Sequence, residues 1–260
     1  MNILCIGDIV GKPGREAVET LLPTLIKEYD IEFVIANVEN AAGGSGIIPR
    51  LAESFLSCGC DVLTTGDHVW DKKEILEFLG DEKRILRPCN FPEGSPGKGF
   101  CVTTTKKGNK IAVINLLGRV FMRYNVNCPF KAFEHLIKDI RKETPNVIVD
   151  FHAEATSEKI AFGHFADGKA SGVFGTHTHV QTADEKILQK KTGYITDVGM
   201  TGPFDSVIGQ NKEKIIERFL KSMPSKFEVA SEDVWLNGVV FTIDEQTGLA
   251  LNILRIQRRM

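Results

Sequence analysis

The sequence has no apolar run near the roughly 20 residues that a helical bilayer crossing needs, because charged or glycine positions interrupt every candidate. A helical membrane span is therefore not expected. Nor is there an excess of either charge. Lys and Arg number 32 against 34 Asp and Glu, for a formal net charge of -2, so no global basic field exists to hold a long polyanion by counterion release. A small-molecule partner is favoured over extended nucleic acid. Met1 to Gly7 lacks a basic stretch ahead of its apolar residues, which stop at Asp8, too soon for a signal-peptide core. A cytoplasmic protein is expected. Cysteine is sparse: Cys5, Cys58, Cys60, Cys89, Cys101 and Cys128 are scattered through 260 residues, and a chain of that size needs no stapling, so free thiols are expected. The Cys58-Gly59-Cys60 pair is a weak metal or redox signal that reads more simply as packing. Internal repeats, low-complexity tracts and Pro/Ser linkers are also missing, so one domain over residues 1–260 is expected.

What is present is an ordinary globular composition, with 42% hydrophobic and 25% charged residues. Asn2 to Ile6 is a short apolar run. Arg15 to Glu28 follows with apolar residues near helical spacing, and Phe33 to Val38 is apolar and partly β-branched. The alternation continues with a helix near Pro49 to Ser57, a strand from Val62, and a helix opened by Asp71 with Glu74 completing a capping arrangement. Parallel pairing is implied. Gly99 to Thr105 and Lys110 to Leu116 then flank a turn at Lys106 to Asn109, which predicts an antiparallel hairpin. Helices are expected at Pro129 to Lys142, near Ser157 to Phe165 and at Asn211 to Ser222, with strands at Val147 to Phe151, Gly172 to Gly175, Val234 to Ile243 and Leu249 to Ile256. The fold class is α/β, with two mixed β-sheets packed as a sandwich flanked by helices.

Five of these strands end alike. Asn2 to Gly7 runs into Asp8, Phe33 to Val38 into Glu39-Asn40, Val62 to Gly66 into Asp67-His68, Val147 to Phe151 into His152, and Gly172 to Thr176 into His177-Thr178-His179. Carboxyl ends of strands in α/β sheets converge on one crevice, so residues this far apart in sequence become neighbours. Carboxylate and imidazole ligands drawn from several strands suit a pair of borderline cations, and the thiols lie elsewhere. Each signal alone is weak. Asp8 could equally cap a helix. His177 and His179 would share one face of an extended segment and so reach one cation or two. His135 and His164 fall in helical patterns and read as surface or packing residues. Asn115 and Arg119 follow a strand, where substrate contact and a structural role are both open. Gly7 to Lys12 is one residue short of a P-loop and Pro13 replaces its Ser/Thr. Neither a Gly-x-Ser-x-Gly elbow nor a cysteine beside a histidine appears.

In that order, Gly-Asp8, Glu39-Asn40, Gly-Asp67-His68, His152 and Thr-His177-Thr-His179 resemble the ligand blocks of calcineurin-like metallophosphoesterases. The stretches GDIVGKPGR, NVENAAGG, GDHVWD, INLLGRVFM, DFHAEATSEK, GTHTHVQTAD and TDVGMTGP further resemble the bacterial YmdB-type phosphodiesterases over essentially the whole chain. That resemblance implies a four-layer α-β-β-α sandwich, a dinuclear centre of iron, with manganese, magnesium or zinc as alternatives, and hydrolysis of cyclic nucleotides such as 2′,3′-cyclic nucleotides. It also suggests self-association. Carried over by position, Asp8, Glu39, Asn40 and His179 would hold the first cation, and Glu39, Asp67, His152 and His177 the second, with Glu39 bridging. His68 would stand beside the leaving group.

Two departures from the pattern matter. Val10 occupies the place of the superfamily's first histidine, as in the YmdB branch, and Asp67 stands where the YmdB pattern has asparagine. With Asp8, Glu39 and Asp67 all ionised, two divalent cations and one hydroxide leave the centre near neutral. An asparagine would leave it positive. Asp67 is thus expected to weaken anion binding, to favour a more highly charged metal state, or to be partly protonated. Paired cations can acidify a shared water and hold it for in-line attack on phosphorus, with His68 giving a proton to the departing oxygen. The competing readings are a phosphomonoesterase or nuclease with the same centre, and a metal-binding regulatory protein whose turnover is incidental.

Overall fold

Strands that are largely apolar must bury both faces, and the central strands of the two sheets in this chain are of that kind, with helices outside. The computed structural model describes residues 1–224 and 226–260. The first half runs β1 (Asn2–Ile6), α1 (Gly11–Glu28), β2 (Phe33–Asn37), α2 (Pro49–Cys58), β3 (Val62–Thr64), α3 (Ile75–Asp81), β4 (Ile85–Leu86), β5 (Phe100–Thr104) and β6 (Lys110–Leu117). The second half continues with α4 (Pro129–Glu143), β7 (Val147–His152), α5 (Thr156–Ala166), β8 (Gly172–Thr176), β9 (Lys186–Ile187), β10 (Gly193–Ile195) and β11 (Gly202–Pro203). The tail gives α6 (Lys212–Lys221), β12 (Val234–Ile243) and β13 (Ala250–Arg259).

One sheet has the order β11-β12-β1-β2-β3-β4, with β13 added on β12; the other has the order β5-β6-β7-β8-β10-β9. Both are mixed. β1, β2, β3 and β4 are parallel neighbours, as are β6, β7 and β8, while β12 and β5 pair antiparallel with their sheets. The period-2 alternation of a strand divides each one between two cores. Ile3, Cys5, Phe33 and Ile35 face Ile148, Phe174 and Ile195 in the layer between the sheets. Their neighbours Leu4, Ile6 and Val34 turn outward to meet α1 and α2 through Val18, Leu22 and Phe55. On the far side α4 and α5 cover the second sheet, where Phe162 of α5 stacks on Phe151 with ring centroids 4.4 Å apart. No helix among the described residues is long and apolar enough to cross a membrane.

Several boundaries differ from expectation. α1 begins at Gly11, four residues before Arg15, because Pro13 fits the first helical turn, where its missing N–H costs nothing. The capping arrangement expected of Asp71 and Glu74 is not formed. α3 starts only at Ile75, and Glu74 makes no capping hydrogen bond; the Asp71 carboxylate instead accepts from Ser45 Oγ and, at 3.1 Å, from Arg123. The strands β4, β9, β10 and β11 have two or three residues each, too short to leave a periodic signal. The hairpin of β5 and β6 is as the residues implied, and α6 starts just after Asn211, whose side chain caps it by accepting the Lys214 N–H.

Candidate metal centre

Because β1, β2 and β3 run parallel in one sheet and β7 and β8 parallel in the other, the residues beyond their carboxyl ends meet at one rim of the sandwich. Asp8 follows β1, Glu39 and Asn40 follow β2, Asp67 and His68 follow β3, His152 closes β7, and His177 and His179 follow β8. All are buried except His68, His177 and His179, which are half-buried at the rim. One donor atom each from Glu39, Asp67, His152 and His177 lies within 4.8 Å of the other three. His152 Nε2 is 3.2 Å from both Glu39 Oε1 and Asp67 Oδ1, and 3.0 Å from His177 Nδ1. Asp8, Asn40 and His179 adjoin this group. Asn40 Nδ2 reaches Glu39 Oε1 and His179 Nε2 at 3.2 Å each, and His179 Nε2 is 3.9 Å from Asp8 Oδ1.

The hydrogen bonds fix how each ring is presented. The Thr176 hydroxyl donates to Asp150 Oδ1 at 2.7 Å, so at 2.8 Å it accepts from His152 Nδ1, which turns Nε2 into the cluster. Asn40 gives its amide hydrogens to Glu39, so its oxygen faces His68 Nδ1 at 2.8 Å and that nitrogen carries the hydrogen. His179 donates from Nδ1 to the Ile208 carbonyl at 2.9 Å, leaving Nε2 toward Asn40 and Asp8. The expectation that His177 and His179 share a face of an extended segment is corrected. β8 stops at Thr176, and both histidines take left-handed backbone, with φ of 100° and 66°. They reach the cluster through this kink.

The donor set suits cations. Asp8 Oδ1 is buried with no hydrogen-bond partner among the described residues, although the same carboxylate accepts the His177 N–H at 3.0 Å through Oδ2. Burial alone would raise the Asp67 carboxyl, but hydrogen bonds from His152 and His177 outweigh it and hold Asp67 well below the usual carboxylate range. Burial alone would lower His152, yet the Glu39 charge and the hydrogen bonds to Asp67 and Glu39 raise it well above the usual imidazole value. Carboxylates that draw a second proton onto a buried imidazole would be answered equally by a metal ion.

The comparisons with known proteins agree over nearly the full length. Residues 4–256 match the YmdB-like protein family. The chain belongs to the YmdB-like family. It is 51% identical over 256 residues to the 2′,3′-cyclic-nucleotide 2′-phosphodiesterase of Bacillus subtilis strain 168, covering 98% of this chain and 96% of that protein. A crystal structure of a Thermus thermophilus protein superposes with a TM-score of 0.93 at 39% identity, covering 100% of this chain and 99% of that one. A Mycoplasma pneumoniae crystal structure described as a novel phosphatase does so with a TM-score of 0.93 at 37% identity, covering 100% and 93%.

A cavity of about 630 Å³ opens over the cluster in this YmdB-like chain, with His68, His177 and His179 in its lining beside Arg123, Ile208 and Phe227. Asn115 and Arg119 do not line it. Asn115 is fully buried and accepts the Thr65 N–H at 3.1 Å, while Arg119 is exposed and its backbone N–H donates to Glu158. His135 and His164 are exposed on α4 and α5, away from the cluster. Sequence reasoning does not single out Asp150, a carboxylate inside an apolar strand that burial pushes up to about 6 against donors from Thr64, Thr176 and Asn37. A lone charge within Val147 to Phe151 is the available signal. Arg123 is missed as well, and no spacing marks it.

Gly66 tests how tightly this rim is built. A Cβ there would lie 2.3 Å from Glu39 Oε2 and 2.4 Å from His152 Nε2. Gly66→Ala is therefore expected to push both donors off the cluster and cut divalent-cation affinity by about 10- to 100-fold, with secondary structure kept. Metal titration alongside circular dichroism checks this. Unchanged affinity would mean that Glu39 and His152 do not act together.

Proposed function

We propose that this chain, as a single domain over residues 1–260, is a metal-dependent phosphodiesterase acting on cyclic nucleotides, 2′,3′-cyclic nucleotides foremost. The observation carrying this reading is the convergence of three carboxylates and three imidazoles beneath a cavity wide enough for a nucleotide. In this reading Asp8, Glu39, Asn40 and His179 hold one cation, and Glu39, Asp67, His152 and His177 the other. The resemblance implies iron, with manganese, magnesium or zinc as alternatives, and mixed imidazole and carboxylate donors accommodate such cations. Bound there, the cations would supply Lewis acidity, acidifying a water and offsetting charge on the phosphate oxygens.

The chain's own residues do the rest. His68 lines the cavity with Nδ1 tied to Asn40, which leaves Nε2 as the nitrogen to deliver a proton. As the water oxygen bonds to phosphorus and releases one proton to solvent, the bond from phosphorus to one ribose oxygen breaks and that oxygen takes the His68 proton, so the ring opens to a phosphomonoester and His68 is reprotonated from solvent. Arg123 places a positive charge at the cavity wall, 3.1 Å from Asp71, and Phe227 and Ile208 offer an apolar surface to a nucleobase. The self-association implied by the resemblance has support in Phe219 and Leu220, which α6 leaves 81% exposed.

The test is to load purified protein with iron or manganese and offer 2′,3′-cyclic AMP, 3′,5′-cyclic AMP, an aryl phosphodiester and an aryl phosphomonoester. Preferred turnover of 2′,3′-cyclic AMP supports the reading. Preference for the monoester would favour the phosphatase alternative, to which the description of the Mycoplasma pneumoniae structure lends weight. The same assay tests Asp67. Asp67→Asn removes a negative charge beside the phosphate, so it is expected to lower KM for the anionic diester while weakening metal uptake. Indistinguishable KM and metal content would remove the charge argument.

A further inference from the structure

The His177-Thr178-His179 segment is kept in a conformation that its residues disfavour; Asp8 holds the His177 N–H and the Ile208 carbonyl holds His179 Nδ1, while the residue between them is held by an ion pair outside the candidate ligands. Left-handed backbone at a residue other than glycine persists only where the surroundings over-determine it, and here two such residues flank one threonine. Thr178 turns both of its donors to one oxygen: its backbone N–H at 3.1 Å and its Oγ1 at 2.7 Å reach Asp197 Oδ2. That oxygen also accepts from Lys159 Nζ at 2.5 Å, and Lys159 donates in turn to the Thr176 carbonyl at 2.8 Å, the last residue of β8. Asp197 Oδ1 accepts the Gly199 N–H at 2.8 Å. Lys159 on α5 and Asp197 beyond β10 are both about 1% exposed.

A charge pair withdrawn from water contributes little to stability, since well-packed apolar residues of similar volume often serve as well or better. Its retention under this loop points to another use. We propose that the Lys159–Asp197 pair is a positioning device that anchors Thr178 inward, so that the flanking His177 and His179 are presented to the carboxylates before any cation arrives. Neither residue belongs to the candidate ligand set. The pair also gives a use to two buried charges, Lys159 and Asp197, that the ligand set leaves without a role. The inference rests on the reading of His177 and His179 as ligands.

Metal-stripped wild type, Thr178→Val, Thr178→Ser and Asp197→Asn should be titrated calorimetrically with manganese(II) chloride, and the thermal unfolding of each metal-free protein recorded. Thr178→Val keeps the branched shape and the backbone donor and loses only the hydroxyl, so it is the informative variant if Asp197→Asn does not fold. Manganese affinity is expected to fall about 10- to 100-fold in Thr178→Val and Asp197→Asn, and to stay within about threefold of wild type in Thr178→Ser. A merely structural pair would lower thermal stability and leave affinity unmoved in the folded variants. Unchanged affinity in Thr178→Val, or an equal loss in Thr178→Ser, would overturn the proposal while leaving the ligand reading intact. A wild type that takes up no manganese would overturn the ligand reading and the proposal with it.

Discussion

Replacing Glu39 with glutamine is expected to lower turnover by on the order of 10³-fold or more and to cost the protein at least one bound cation. The substitution keeps volume and one acceptor oxygen while removing the charge, so its effect isolates electrostatics from packing. Glu39 is 1% exposed and touches a member of each proposed ligand set: His152 Nε2 and Asn40 Nδ2 lie 3.2 Å from Oε1, and the His68 backbone N–H lies 3.2 Å from Oε2. A carboxylate shared by two cations offsets charge on both, and metal chemistry at phosphorus is worth several kcal/mol of barrier, each 1.36 kcal/mol being about tenfold in rate. Metal content by elemental analysis and kcat on a cyclic nucleotide check the prediction together. Full metal occupancy with normal turnover in Glu39→Gln would show that Glu39 does not bridge.

Replacing His68 with alanine should separate the same two quantities. Metal content is expected to stay at the wild-type level while kcat falls by about 10²–10⁴-fold, the usual worth of a positioned proton donor. The geometry argues for this division. His68 is 31% exposed in the cavity lining, its Nδ1 is held at 2.8 Å by Asn40, and its Nε2 is 4.0 Å from Asp67, beyond hydrogen-bond reach. A leaving group with a low pKa needs no proton on departure, so an aryl phosphodiester should lose far less rate than a cyclic nucleotide. Equal losses on both substrates would move the acid elsewhere, and loss of metal would make His68 a ligand.

The strand ends were legible because they obey one rule. Predominantly apolar runs buried in a sandwich give way to polar residues at their carboxyl ends, and Asp8, Glu39, Asp67, His152 and His177 each lie at such an end. Topology then brings them together without further information. The kink at His177 and His179 was not legible, since an alternating His-Thr-His pattern looks like strand and the partners that hold the turned segment, Asp197 beneath Thr178 and Asp8 at the His177 N–H, lie far away in sequence. Lys159 and Asp197 were hidden for a related reason: a lysine on a helix reads as solvated unless its partner across the fold is known. Asp71 looked like a helix cap because local spacing allowed it, while tertiary partners at Ser45 and Arg123 claimed its oxygens.

Anomalous diffraction from crystals grown with manganese tests the twin-cation centre most directly, since it locates metal without reference to activity. Two peaks are expected, one among Glu39, Asp67, His152 and His177 and one among Asp8, Glu39, Asn40 and His179. A single peak away from Glu39, or no peak at this rim in crystals of manganese-loaded protein, would contradict it.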